Sequence, residues 1–452
     1  MGDFFVKAEN IISGFMPLAF LVVAGVYFTV KTKWAQFRKF FTAIKFSLKS
    51  GEGEKGEISS FGAVCNSLAA TVGTGNIAGV AAAISIGGAG AVFWMWVSAF
   101  VGMAVKVAEI TVAVSLRRKI CGKFTGGPMY YIKEKMGKGF TPLAVIFATF
   151  CIFSAFTTGN ITQINACVSV VGENLLSKMA AGVFFSVLVA VIIMGGAKKI
   201  TRFTTATLPV MAVLYILLCL GVIIKNVTLL DDALSSILKG AFKPGSVTGG
   251  AVGSVYFTVI TGAKKGIFSN EAGLGTAGMA HAAAADAKKE TQGLFGIFEV
   301  FVDTLLICTL TALTILCSGV IIDYTQVASS GLVSQALSTL YGSFSRPALI
   351  VMLGLFGVSS VLGWGAYGIT AGEFLCGKKG KKAFVIIYPF FCFVGAVMRV
   401  DAVFRMAEFF NGIMLVINLF ALLYLSEEVK GFLKGEGNEK KSKKLTNNIA
   451  KG

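Results

Sequence analysis

Two stretches of this chain place backbone and hydroxyl chemistry inside otherwise apolar runs. The first is Thr71-Val72-Gly73-Thr74-Gly75-Asn76-Ile77-Ala78-Gly79. The second is Thr261-Gly262-Ala263-Lys264-Lys265-Gly266-Ile267-Phe268-Ser269-Asn270-Glu271-Ala272-Gly273-Leu274-Gly275. Glycine leaves the backbone uncovered, so a ligand can approach its N–H and C=O groups closely. A helix broken at such a point offers N–H donors at the start of one half and carbonyls at the end of the other. Thr71, Thr74 and Asn76 add oxygens at the same depth, and Ser269 and Asn270 add further hydrogen-bonding groups. The competing use of these glycines is close helix packing. Two acids, Glu271 and Asp303, lie in apolar surroundings, where a charge costs about 2.5–3.5 kcal/mol on insertion scales and marks a functional candidate. Glu271 has Lys264 and Lys265 nearby as partners, and Lys106 and Glu109, three apart, are expected to pair. The single histidine, His281, makes a Ser-His-Asp triad or a histidine-based metal site a poor prospect. Packing is its expected role.

The elements that must position these groups follow from composition. Of 452 residues, 55% are hydrophobic and 14% charged, with mean hydropathy +0.77. Soluble domains carry about 25% charge, so the chain reads as an all-α polytopic membrane protein. Eleven apolar segments are long enough to span, roughly 15–31, 60–88, 90–116, 142–170, 180–197, 206–224, 248–285, 293–321, 347–375, 383–399 and 404–426. Lys and Arg between these segments and at their ends divide 30 to 8 between alternate sides. The positive-inside rule then places the N-terminus outside and the C-terminus in the cytoplasm of a plasma-membrane protein. The net charge of +18 is a product of that topology rather than of nucleic-acid binding. Cys121 and Cys376 sit beside basic clusters, on the reducing side, and no cysteine spacing suggests disulfides or a metal. The Lys-rich tail, 427–452, reads as a solvated cytoplasmic end able to touch anionic lipid.

Setting the first segment aside, with residues 1–58, leaves two sets of five, 59–225 and 248–426. Each opens with a broken segment, and the breaks lie about 200 residues apart. Five spans is an odd number, so the second set runs opposite to the first. Interrupted helices in matching places of an inverted repeat are the pattern of many secondary transporters.

These blocks, with Phe93-Trp94-Met95-Trp96, Gly126-Gly127-Pro128-Met129-Tyr130-Tyr131, Leu362-Gly363-Trp364 and Asn411-Gly412, resemble the alanine or glycine:cation symporter family over nearly the whole chain. The resemblance implies the fold of the sodium-coupled leucine transporter, a five-plus-five inverted repeat plus one extra N-terminal helix. It implies a zwitterionic substrate, alanine or glycine, met by Thr71, Thr74, Gly75 and Asn76 at the first break and Phe268, Ser269 and Asn270 at the second. Gln163 becomes a substrate contact, with an interhelical hydrogen bond as its alternative. It also implies sodium held by the carbonyls of Ala69 and Val72 and the hydroxyls of Ser359 and Ser360. Those serines could instead face the substrate, in the case of Ser360, or bond back to their own helix. Trp364 and Ile413 are expected to wall the pocket, and Glu271 and Asp303 to serve coupling or gating.

The expected function is sodium-driven uptake of a small neutral amino acid by alternating access, with no cofactor beyond sodium as coupling ion. Proton coupling through Glu271, Asp303 or His281 is the alternative within transport. A membrane-embedded enzyme lacks a nucleophile-base or metal cluster, and a passive channel has no need of two inverted broken helices.

Overall fold

The computed structural model describes residues 16–49, 58–120, 122–171, 174–250, 252, 254–324, 326–398, 400–430 and 432. The expected tail beyond residue 432 and the reading of Cys121 lie outside the described residues. The architecture is helical, with one small exception: a two-stranded hairpin, β1 (Arg118–Ile120) and β2 (Lys123–Thr125), that the all-α reading does not anticipate.

The extra helix α1, Met16–Lys31, is followed by the amphipathic α2, Phe40–Lys49. The first broken helix is α3, Ser60–Thr71, and α4, Val80–Gly87, with a π-helical turn at Gly75–Gly79 between them. The long α5 covers Ala91–Ser115, and α6 covers Pro128–Lys135. A second π turn, Thr157–Ile161, joins α7 (Thr141–Phe156) to α8 (Thr162–Ser169). Helices α9 (Leu175–Ile193) and α10 (Gly196–Lys225) complete the first set, and α11, Leu230–Phe242, lies between the sets.

The second broken helix is α12, Val255–Asn270, and α13, Thr276–Ala282. A third π turn, Phe301–Cys308, joins α14 (Leu294–Val300) to α15 (Thr309–Cys317). After α16, Ser330–Tyr341, the helical run α17, Ser345–Ile387, leaves helical geometry at Cys376 and Gly377, so it changes direction there. The last helices are α18, Phe390–Val397, and α19, Val400–Tyr424.

Local chemistry explains the breaks. Ser59 caps α3 by accepting from the Gly62 N–H, and Val72 ends it at φ −76°, ψ 83°. The two halves meet at 49°. Helix α12 ends on Glu271 at φ 55°, a left-handed conformation that side chains disfavour. Gly273 and Gly275, at φ 85° and 89°, continue the turn where only glycine fits without strain. π turns recur at functional sites, and all three carry or adjoin residues singled out from the sequence.

Among the described residues, seven helices are long and apolar enough to cross a membrane, and the bent α3–α4 pair makes an eighth. The eleven expected segments all fall on helices. The difference arises because α1 has 16 residues, the second broken pair is interrupted, and the span beyond Gly377 is joined to its predecessor. The outer surface suits lipid: Val183, Phe184, Val187 and Val191 of α9 and Leu217 and Ile224 of α10 are exposed.

Helices α5 and α12 pack closely because Gly262 has no side chain. A Cβ there would overlap the Ala91 carbonyl and lie 2.8 Å from Trp94 Cβ. Gly262→Ala should destabilise by about 1–3 kcal/mol through overpacking. At Gly354 of α17 an added Cβ meets nothing within 4 Å, so Gly354→Ala should be neutral or slightly stabilising. Thermal unfolding of the detergent-solubilised protein separates the two.

Candidate functional site

At the first break the backbone finds partners at once. The Gly73 N–H donates to Asn76 Oδ1 at 3.0 Å. The Thr74 N–H and hydroxyl both donate to Gln163 Oε1, at 3.0 and 2.8 Å. The N–H groups of Ile77 and Ala78 donate to the Thr74 carbonyl. Gly73 must be glycine, since a Cβ would overlap Ser360 Oγ and lie 2.8 Å from Gln163 Oε1. The Thr71 hydroxyl bonds back to the Ser67 and Leu68 carbonyls of its own helix.

A crevice of about 370 Å³ lies beside this break, lined by Thr74, Gly75, Gln163 and Phe268 of the expected site. Ala78, Gly79, Thr162 and Lys265 complete its lining. The sequence held weak signals for these four. Ala78 and Gly79 lie one helical turn beyond Thr74 and Gly75, Thr162 adjoins Gln163, and Lys265 shares a face with Phe268 three residues on. Phe268 also lines a second crevice of about 500 Å³, with Pro17, Leu18, Lys264, Asn411 and Gly412.

The other half of the expected substrate shell points elsewhere. Ser269 Oγ donates to Asp303 Oδ2 at 2.7 Å, and Asn76 Nδ2 donates to Asp303 Oδ1 at 2.7 Å. Thr304 donates to the same carboxylate, and Asn270 Nδ2 donates to the Thr304 hydroxyl. Ser269, Asn270 and Asn76 are buried and line neither crevice. Asp303 thereby ties the two breaks together.

Two pairings differ from the sequence expectation. Glu109 does not pair with Lys106. It accepts from the N–H groups of Gly273 and Gly278, at 3.2 and 3.0 Å, and so serves the second break. Lys106 Nζ lies 3.2 Å from Glu299 Oε2 and donates to the Asn270 carbonyl at 2.8 Å. Glu271 pairs with neither Lys264 nor Lys265; it accepts from Trp364 Nε1 and the Thr276 hydroxyl, each at 2.8 Å. Trp364 is fully buried and lines neither crevice. An indole N–H inside a membrane helix needs an acceptor, and Glu271 is the one within reach. Ile413 is partly buried and also lines neither crevice. His281 is satisfied as a packed histidine, between Glu299 Oε1 at 2.6 Å and Gln292 Nε2 at 2.8 Å, stacked on Phe295.

The oxygens expected to hold sodium come together in part. Ser360 Oγ lies 3.0 Å from both the Ala69 and Ala70 carbonyls, across from α17 to the end of α3. Ser359 Oγ turns to Thr207 Oγ1 of α10, at 3.4 Å. Among the described residues neither serine hydrogen-bonds the Val72 carbonyl, though Val72 is buried at the break. Hard oxygen donors of this kind suit a hard cation.

The family model of the sodium:alanine symporter family matches residues 2–450. The chain belongs to this family. The transporter is 36% identical to the sodium/alanine symporter AgcS of Methanococcus maripaludis, over 97% of this chain and 99% of that one. It is equally similar, at 36%, to the probable sodium/glutamine symporter GlnT of Bacillus subtilis, over 97% and 91% of the two chains. The solved structure of MhsT with L-phenylalanine shares the fold at TM-score 0.59 and 13% identity, over 82% of this chain and 89% of that one. The family and its relatives are multi-pass membrane transporters, not enzymes.

The buried Lys106–Glu299 pair gives a test of the transporter's core. Lys106→Met leaves Glu299 without its lysine and should destabilise by about 3–5 kcal/mol, and adding Glu299→Leu should not recover the loss, because Ser67, His281 and the Asn270 carbonyl then lose their partners. The midpoint of thermal unfolding reads both.

Proposed function

We propose that the transporter couples sodium entry to uptake of a small neutral amino acid, alanine or glycine, by alternating access. Family membership and the name of the AgcS relative support sodium and alanine. The observation that carries the reading is the Ser360 hydroxyl against the Ala69 and Ala70 carbonyls, next to the crevice lined by Thr74 and Gln163. Cation ligands and substrate-facing groups thus share one broken helix.

In this reading Thr74, Gly75, Gln163 and Phe268 touch the substrate. Thr71, Asn76, Ser269, Asn270, Trp364 and Ile413 shape the site from behind them. Ala69, Val72, Ser359 and Ser360 supply sodium ligands, and Asp303 and Glu271 couple the halves. Phe268, the one large ring in the crevice lining, limits substrate size. Because a relative of equal identity is named for glutamine, sequence similarity alone does not fix the side chain, and that wall must. The two sets of five helices, 59–225 and 248–426, rock about the site. The C-terminus lies in the cytoplasm and the N-terminus outside.

Uptake of labelled alanine into proteoliposomes tests the reading. A sodium gradient should drive accumulation, and a proton gradient alone should not; the reverse would overturn it. Ser359→Ala with Ser360→Ala should raise the sodium concentration for half-maximal uptake by about ten- to a hundredfold, as expected for losing ligands worth on the order of 1.5–3 kcal/mol. Unchanged sodium dependence would remove these serines from the site.

A further inference from the structure

We infer that the second crevice, the one of about 500 Å³ between α1, α12 and α19, is a separate binding site for a neutral amino acid with a larger apolar side chain, such as leucine. This goes beyond the symport proposed above: the occupant is not the transported substrate, and it slows uptake from beside the substrate crevice.

Two polar groups in this crevice lack partners. Asn411 of α19 lines it and is 7% exposed, and among the described residues its Oδ1 accepts no hydrogen bond. A buried acceptor without a donor is rare in folded proteins and calls for an explanation. Lys264 of α12 lines the same crevice, and among the described residues its ammonium has no carboxylate partner. The acid in the lining, Glu408, already has a cation: its Oε1 lies 3.4 Å from the Lys265 ammonium. The crevice thus keeps one uncompensated positive charge on α12 and one empty acceptor on α19. A zwitterion meets both, its carboxylate on Lys264 and its ammonium donating to Asn411 Oδ1. Glu408 stands three residues before Asn411, on the same face of α19, so negative charge lies on the ammonium's side.

The rest of the lining selects the side chain. Leu18 of α1, Ile267 of α12, Leu274 at the second break and Leu415 of α19 are apolar. A polar side chain would lose its water there without a partner, and glycine or alanine would leave these walls uncovered. The volume lies in the range of small-molecule pockets. Leu18 belongs to the helix outside the two sets of five, so the site is an addition to the repeat. Phe268 walls both crevices. A ligand in the second one therefore bears on a ring that touches the substrate in the reading above, and it ties α12 to α1 and α19. It lowers the rate of uptake without entering the substrate crevice.

Full-length protein in proteoliposomes tests this with L-leucine as the probe. Labelled leucine should bind saturably and stay bound in excess alanine. Leu18→Trp, which fills the crevice, should abolish that binding. Asn411→Leu should weaken it by about ten- to a hundredfold, the loss expected for a hydrogen bond to a charged group. Both variants should keep the wild-type KM for alanine. In uptake, leucine should lower the maximal alanine rate at unchanged KM, and Asn411→Leu should relieve that inhibition. Lys264→Gln should weaken leucine binding to a similar extent, and decides the matter if the other two variants do not fold. Three results overturn the inference: no saturable leucine binding to the wild type, binding that excess alanine abolishes, or binding that persists unweakened in the folded variants. The binding measurement needs no transport. A wild type that binds leucine as described yet takes up no alanine supports this site and overturns the substrate reading instead.

Discussion

A carboxylate from an unbroken helix holds the backbone of a broken one. Glu109 of α5 accepts from Gly273 and Gly278 at the start of α13. Inside a bilayer no water replaces a missing helix hydrogen bond, and each unsatisfied group costs several kcal/mol. A break can persist there only if the protein supplies the acceptor. Glu109 does so with its two side-chain oxygens, at the end of the half-helix where the N–H groups lack partners of their own. Asn418 donates both to Glu109 and to the Gly273 carbonyl, and Tyr131 donates to Asn418, so the support is itself supported.

The same constraint organises the rest of the core. At the first break Asn76 satisfies Gly73 with its oxygen and reaches Asp303 with its nitrogen. Asp303 receives Ser269 from the second break, so the two interruptions converge on one side chain. The Lys106 ammonium sits on the Asn270 carbonyl, where α12 ends, and takes its countercharge from Glu299. Glu299 in turn accepts from Ser67 of α3 and contacts His281 of α13. One half of each broken helix, α3 and α13, therefore bonds to one buried acid. An event at the crevice that moves either break is felt by the other through these bonds.

Much of this frame is legible in the sequence. Glycine and hydroxyl residues clustered inside apolar runs, in matching places of the two sets of helices, announce the breaks. Thr74, Gly75, Gln163 and Phe268, which the sequence reading groups together, line one crevice, and Ser360 meets Ala69. What the sequence conceals is partnership over distance. Lys106 and Glu109 stand three apart, and local spacing reads them as a pair; their partners at Asn270, Glu299, Gly273 and Gly278 lie some 160 to 190 residues away. Trp364 reads as a wall because rings fill pockets; its N–H also needs an acceptor, and Glu271, far off in sequence, supplies it. Ser269 and Asn270 read as ligand groups for the same reason that they serve Asp303: they are polar, buried and beside a break. Composition cannot say which polar group they satisfy.

The central claim is that Glu109 satisfies the second break. Glu109→Gln keeps one carbonyl oxygen but turns an amide NH₂ toward a backbone donor, so at least one of the two N–H groups loses its acceptor. Hydrogen-deuterium exchange of the reconstituted protein, followed by mass spectrometry, reads this directly. The account predicts exchange across residues 271–280 faster by about tenfold or more, a local opening cheaper by on the order of 1.4 kcal/mol, with residues 309–317 of α15 unchanged. Wild-type exchange rates across 271–280 in the folded variant would contradict it.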